Sequence, residues 1–341
     1  MVYLYVTSTE PGAGKTALCA GLGLRARAMG KRVTYLKPLS QQKGLDKDTL
    51  FLHDLLGLAG NPPSSLSLNG QSWEKLSSQL QALLASLAGQ ADLGLLEGLP
   101  DQSPDSLAAS LRVLEAAKAR ALLVARYQAD GSEALVQAAK ALGTHLLGVV
   151  INSVPGNLLE KAKSSWTPSL EKAGVRVLGF LPQDRALLSV SVQEMADFLG
   201  GEFRDSQPGR DELVQSLMIG ANTPDPGLDY YKLKENKAVI TRCDRGDQQM
   251  AALETSTRCL VLTGGGKPFS VILTRAREKG VPIMVVTGGT IDTATQMEGL
   301  LGQARFHQRG KVSRLKALLD QHLNWDGLFQ PLGLPPTGIG G

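Results

Sequence analysis

Apolar residues gather along this chain in short unbroken runs, separated by stretches whose apolar positions recur at helical spacing. "VYLYVT" (2–7) is a β-branched and aromatic run, a helix-forming stretch follows from Lys15 to about Met29, and "RVTYLK" (32–37) comes next. Helical patterning resumes through "TLFLHDLLGLA" and "WEKLSSQLQALLASLA", and the run "LGLLE" (93–97) ends on an acid. "ALLVARY" (121–127), "LLGVVINSV" (146–154) and "VRVLGFLP" (175–182) complete the set. Continuous rather than alternating apolar runs mean strands buried on both sides. The pattern predicts an α/β fold, a parallel sheet with helices on both faces. Right-handed crossovers place the carboxyl ends of such strands on one edge, where ligands bind.

The pattern breaks at "GGEFRDSQPGRDEL" (200–213), which is charged, lacks periodicity and carries glycine and proline. A second alternating unit starts near Asn236: strand "KAVITR", helix "QQMAALETS", strand "RCLVLTG", helix "SVILTRAREKG", strand "PIMVVTG", helix "TATQMEGLLGQA". The expected division is a first domain over 1–203, a linker over 204–211 and a smaller α/β domain over 212–325 that includes "SRLKALLDQHL". The Gly/Pro-rich tail 326–341 is expected to be disordered.

Composition removes several function classes. Hydrophobic residues make up 43% and charged residues 20% of 341 residues, ordinary for a soluble globular protein of about two domains. The formal net charge is only +4 and no basic run stands out, so nucleic acid has no compositional support as a partner. No apolar stretch reaches the roughly 18 residues of a membrane span. Cys19, Cys243 and Cys259 lack metal-ligand spacing and read as reduced thiols. Together with a start that runs straight into a strand, without a leader, they make the cytoplasm the expected compartment.

The candidate chemistry lies in "TSTEPGAGKT" (7–16). A phosphate cradle needs backbone N–H groups converging at a helix N-terminus, a lysine for the phosphates and a hydroxyl for Mg²⁺. Gly12 and Gly14 allow the tight turn, and Lys15 and Thr16 open a helix directly after a buried strand. The strict pattern G-x-x-x-x-G-K-[ST] asks for glycine where Thr9 stands, so the loop is a variant. Lys15 is the candidate for the β/γ-phosphates and Thr16 for the metal. Glu97, a charge at the end of an apolar run, reaches the same edge. His145 precedes a buried strand and reads as packing or capping. His307, beside Arg305, Arg309 and Lys311, reads as an anion contact or a solvated basic face.

"TSTEPGAGKT" followed by "YLKP" (35–38), "LLEG" (95–98), "INSVP" (151–155) and "LGFLP" (178–182) resembles the dethiobiotin synthetase-like branch of P-loop enzymes, over about residues 1–203. In that branch the loop opens T-G-T-D-T, so Ser8 stands where its opening glycine would be. The resemblance implies ATP and Mg²⁺ as cofactors. It implies nucleotide contacts from Thr9, Gly12, Ala13, Gly14, Lys15, Thr16, Ala17, Asn152 and Pro182, with the Asn152 amide on the adenine edge or, alternatively, only in a turn. It places Glu97 on the metal with Thr16, and leaves Asp48, with Asp46 as rival, as the further metal carboxylate. A helix N-terminal acid accounts equally well for either aspartate. Lys37 corresponds to a lysine that binds the anionic group being phosphorylated, which makes Lys15 and Lys37 the catalytic candidates.

The second half, "NKAVITRCDRGDQQMAALETSTRCLVLTGG" (236–265) with "RFHQRGKVSRL" (305–315), resembles the DRTGG domain. That domain follows a dethiobiotin synthetase-like domain in the N-terminal half of long phosphotransacetylases. The namesake pentapeptide is replaced by Asp244-Arg245-Gly246-Asp247, and the chain stops at Gly341 before an acetyl-transferring domain, so acetyl transfer is not expected. Gly12 replaces a substrate-side glutamate of dethiobiotin synthetase, and Leu99-Pro100 replaces a glycine-rich run. Nucleotide handling is therefore expected to persist while the old substrate site is remodelled. The favoured reading is a regulatory ATP/Mg²⁺-binding protein whose second domain senses a small molecule or protein partner. The alternative is an ATPase or ATP-dependent ligase acting on a carboxylate or carbamate. The resemblance also implies a homodimer, and the apolar Leu99-Pro100 beside Glu97 leads to the expectation that the subunits meet near Glu97–Pro100.

Overall fold

The computed structural model describes residues 1–40, 44, 46–68, 73–99, 103–204, 209–220 and 227–334. The chain forms two compact units: Met1–Gln183 with Phe306–Gly341, and Asp184–Arg305.

In the first unit the six apolar runs become strands β1 (Val2–Ser8), β2 (Val33–Leu36), β3 (Leu93–Glu97), β4 (Arg120–Arg126), β5 (Leu146–Val154) and β6 (Val177–Pro182). They pair in the order β2-β3-β1-β4-β5-β6, every pair parallel. Leu4, Tyr5, Val6, Leu95, Leu96, Leu122 and Leu123 are fully buried, so successive residues of one strand bury on opposite faces. The flanking helices are α1 (Lys15–Ala28), α2 (Lys47–Leu55), α3 (Trp73–Leu87), α4 (Pro104–Ala117), α5 (Ser132–Leu142) and α6 (Leu159–Lys172). One face gathers Tyr5, Leu36, Leu96 and Leu123 with Leu80, Val113, Leu135 and Trp166. On the other, Gly23 of α1 brings Leu56 and Leu95 together. The polar starts of the helices are local: Asp46 accepts the Thr49 N–H at 2.7 Å to cap α2, and Ser103 with Pro104 opens α4.

The second unit opens earlier than the linker signal. Val190, Val192, Met195 and Ala196, around helix α7 (Val192–Leu199), pack with Ala238, Ile240, Val261 and Met284. A capping box, Ser191 and Glu194, starts α7. The sheet contains β7 (Glu202–Phe203), β8 (Ser216–Ile219), β9 (Lys237–Arg242), β10 (Thr257–Thr263) and β11 (Ile283–Val285) in the order β7-β11-β10-β9-β8, with β7 antiparallel and the rest parallel. Helices α8 (Gly227–Lys232), α9 (Gly246–Leu253), α10 (Ser270–Lys279) and α11 (Thr290–Gly302) complete it. The expected linker is partly structured: the Arg204 N–H donates to the Ile283 carbonyl, and Arg210 lies 4.3 Å over the Phe203 ring. Its residues 205–208 lie outside the described residues.

The chain then returns to the first unit through α12 (Val312–His322) and α13 (Trp325–Phe329). The expected 212–325 boundary differs here, because the α12 leucines have their partners on α1: a Cβ on Gly21 would stand 2.0 Å from Leu319 Cδ1. The Asn324 N–H donates to Leu178 O of β6 at 2.7 Å. The tail expected to be disordered from 326 is instead packed as far as Leu334, with Leu328, Phe329, Leu332 and Leu334 buried. Residues 335–341 of that tail lie outside the described residues.

Candidate functional site

Strand β1 delivers the loop to the carboxyl edge of the sheet, and α1 begins at Lys15. Gly12 and Gly14 both take the left-handed conformation, φ 71° and 105°. Gly14 is demanded twice, since a Cβ there would also stand 2.4 Å from Nδ2 of Asn152. That amide donates to the Ala13 carbonyl at 2.8 Å, and its oxygen accepts the Ser153 N–H at 2.8 Å. Asn152 thus fastens the loop from the end of β5. Pro182 pairs with Val154 at the same edge.

Lys15 is buried and donates to Ser8 Oγ at 2.8 Å, and that hydroxyl donates to the Glu10 carbonyl. Ser8, which stands where the resemblance leads one to expect a glycine, therefore supplies a partner for Lys15. Glu10, which sequence reasoning passed over, ties the loop to β4: its carboxylate accepts the Arg126 N–H at 2.6 Å and the Thr9 hydroxyl at 3.0 Å. Ala13, within the loop, is buried, and Ala17 sits in the first turn of α1.

Beside Thr16 lies a charge cluster that is buried at Glu97 and partly exposed at Lys37, Asp46 and Asp48. The Thr16 hydroxyl donates to Glu97 Oε1 at 2.9 Å, and the Tyr35 hydroxyl donates to Oε2 at 2.8 Å. Glu97 is only 4% exposed, and burial pushes its carboxyl up despite the Lys37 ammonium. Lys37 Nζ stands 2.8 Å from Asp46 Oδ2, 3.0 Å from Asp48 Oδ2 and 3.5 Å from Glu97 Oε1. Burial works against this ammonium, yet Glu97, Asp48 and Asp46 outweigh it and raise its pKa. Asp46 is disfavoured by burial too, but the Lys37 and Thr49 donors hold it below its ordinary value. Two ammoniums, Lys37 and the Lys15 that also acts on Glu97, against three carboxylates leave a formal −1, which does not favour an anion. Lys37 is committed to carboxylates, which does not suit the anion-binding role that resemblance gave it.

Among the described residues, no group of three or more His, Cys, Asp or Glu side chains is arranged to hold a metal ion. The oxygen pair Thr16–Glu97 does suit Mg²⁺, a hard ion that is held by one or two carboxylates plus substrate phosphates. Asp48 is brought to the cluster through Lys37. Asp46 serves both as the α2 cap and as a Lys37 partner.

The apolar patch expected near Glu97–Pro100 is not formed by Leu99, which is 2% exposed and packs in the core with Tyr5 and Leu96. Pro100 lies outside the described residues. His145 sits in a short 3₁₀ turn, its Nδ1 3.4 Å from the Ala119 carbonyl, in keeping with packing. The basic face around His307 is already engaged: Arg309 pairs with Asp54 at 2.7 Å, and Lys311 is fully buried. In the second unit, a cavity of about 560 Å³ opens at the carboxyl ends of β9 and β10, lined among others by Arg242, Asp244, Thr263, Lys267, Phe269 and Thr290. Among the described residues no helix is long and apolar enough to cross a membrane.

Comparison with known proteins gives two domain matches: AAA domain over residues 3–191 and DRTGG domain over 194–300. Phosphate acetyltransferase of Pseudomonas putida is 25% identical over 98% of this chain and 52% of its own length. That of Nitrosomonas europaea is 23% identical over 97% of this chain and 52% of its own. The chain thus spans about half the length of the curated relatives it matches. Among solved structures, the septum site-determining protein MinD of Pyrococcus horikoshii, complexed with Mg-ADP, is 18% identical with a TM-score of 0.35, covering 55% of this chain and 83% of that one. The CBS and DRTGG domains of Clostridium perfringens pyrophosphatase, complexed with diadenosine tetraphosphate, are 13% identical with a TM-score of 0.29, covering 47% and 82%. Over residues 3–191 this chain belongs to the AAA domain family, and a DRTGG domain follows it.

Proposed function

We propose that the first unit binds ATP with Mg²⁺ and that this nucleotide state regulates what the DRTGG unit recognises. The observation that carries the reading is the Thr16 hydroxyl on the buried Glu97 carboxylate, directly behind the Gly12–Gly14 turn and the buried Lys15. In the loaded site Lys15 would neutralise phosphate charge, while Thr16 and Glu97 would hold the Mg²⁺. Bound Mg²⁺ supplies charge neutralisation of the phosphates. Asn152 and Glu10 keep the loop in register with the sheet edge, from β5 and from the contact with β4.

The ligase alternative needs a cationic side chain ready for an acidic substrate beside the γ-phosphate. Lys37, its candidate, is held by Asp46 and Asp48 in a cluster of net negative charge. This favours the regulatory reading. The cavity beside Arg242 and Lys267 is the place where a small-molecule partner of the second unit would be read. A homodimer is not required by this reading, and burial of Leu99 takes away the patch that suggested one.

Calorimetry tests the proposal. ATP should bind wild-type protein in the presence of Mg²⁺, and Lys15→Ala should lose at least about tenfold in affinity, as expected when a buried charge-assisted contact is removed. Absence of Mg²⁺-dependent nucleotide binding in wild type rejects it. ATP turnover that rises only when a carboxylic acid is added would favour the ligase instead.

A further inference from the structure

We infer that Lys37 stands in for a divalent cation, so that Mg²⁺ enters the site only together with nucleotide phosphates. The inference rests on the reading of the loop as a Mg²⁺–nucleotide site and adds the rule by which that site loads.

The geometry is specific. The ammonium stands beside the oxygens a metal would use: 3.5 Å from Glu97 Oε1, which also receives the Thr16 hydroxyl, and 3.0 Å from Asp48 Oδ2, to which it donates. Mg²⁺ bonds to carboxylate oxygens at about 2.0–2.1 Å. An ion on either oxygen would therefore lie in contact with, or next to, Nζ. Screening is weakest where Lys37 meets Glu97, whose side chains are 13% and 5% exposed. Two adjacent cations repel strongly in such surroundings, and the carboxylates are already partnered. Free Mg²⁺ therefore finds no vacant ligand set.

Nucleotide changes the balance from the loop side. Its phosphates bring negative charge and oxygen ligands, so a metal ion can bind to them, Thr16 and one oxygen of Glu97 while Lys37 shifts towards Asp46 and Asp48. Asp46 is placed for this, since the α2 cap fixes it at the start of the helix. Without Lys37, the Thr16–Glu97 oxygen pair would lose the ammonium that stands beside it, and Asp48 would lose its partner. Oxygen ligands of this kind suit Mg²⁺ or Mn²⁺. A protein that reports nucleotide state gains from this arrangement, because fluctuations in free Mg²⁺ alone leave the site unchanged.

The test uses Mn²⁺ as the probe, followed by its free-ion electron paramagnetic resonance on the full chain without nucleotide. Wild type should leave the free Mn²⁺ signal essentially undiminished, and Lys37→Gln should bind Mn²⁺ on the order of 100-fold more tightly, consistent with removal of a cation in direct contact. Lys37→Arg, which keeps the charge, should behave as wild type. Should Lys37→Gln fold only with a divalent ion present, the melting temperature is the same readout: Mn²⁺ should raise it in the variant and not in wild type. Equal Mn²⁺ affinity in wild type and Lys37→Gln, or no effect of Mn²⁺ on either resonance or melt, overturns the inference. A parallel titration of wild type with Mn²⁺ plus ATP reports the loop reading separately, so failure of one is not mistaken for failure of the other.

Discussion

Gly14 carries two constraints at once, a φ of 105° and the close approach of the Asn152 amide. Gly14→Ala should abolish nucleotide binding and cost roughly 1–3 kcal/mol in stability, read from a denaturant melt. Full-strength binding by this variant would mean that the loop rearranges freely. A second residue belongs to stability alone. Lys237 is fully buried at the start of β9, its Nζ makes no hydrogen bond among the described residues, and burial lowers its pKa from 10.5 to about 8. Because the folded pKa lies below the unfolded one, the charged form is penalised only in the folded state. Stability should therefore rise as pH climbs from about 8 to 10.5, by about 3 kcal/mol at most. Lys237→Met should flatten that rise and stabilise the protein at pH 7. A pH profile identical to wild type would contradict this account of Lys237. The identities of Lys15, Thr16, Glu97 and Lys37 were legible in the sequence. The partners of Lys37 were not, because Asp46 and Asp48 lie 9 and 11 residues on and no periodicity states that the start of α2 packs against the end of β2.

At the scale of elements, the six buried strands of the first sheet could be read because each is a continuous apolar run. The edge strands β7 and β8 could not: two and four residues leave no periodicity to recognise. Helix α12 was legible as a helix but not in its address, since an apolar stripe states only that some partner exists. Its partner is α1, through Leu319 over Gly21. Leu319→Ala should destabilise the first unit by about 2–5 kcal/mol, as for other fully buried leucines. By the same logic a 184–305 fragment should melt cooperatively by itself. A 1–203 fragment should melt well below a chain in which 1–183 is joined to 306–334 by a short linker. Equal melting temperatures for those two would show that α12 and α13 contribute little to the core.

At the scale of the whole molecule, an AAA domain and a DRTGG domain share one chain, and the proposed coupling is that the nucleotide held by one alters the other. Hydrogen exchange with and without Mg²⁺ and ATP tests this most directly, since it reads both units in one experiment and reports local opening. The account predicts slower exchange at 7–17 and 93–99 on adding both ligands, a change of rate within 184–305, and neither effect in Lys15→Ala. Unchanged exchange at 7–17 in wild type would contradict nucleotide binding by the loop. Protection there with identical rates throughout 184–305 would contradict the coupling.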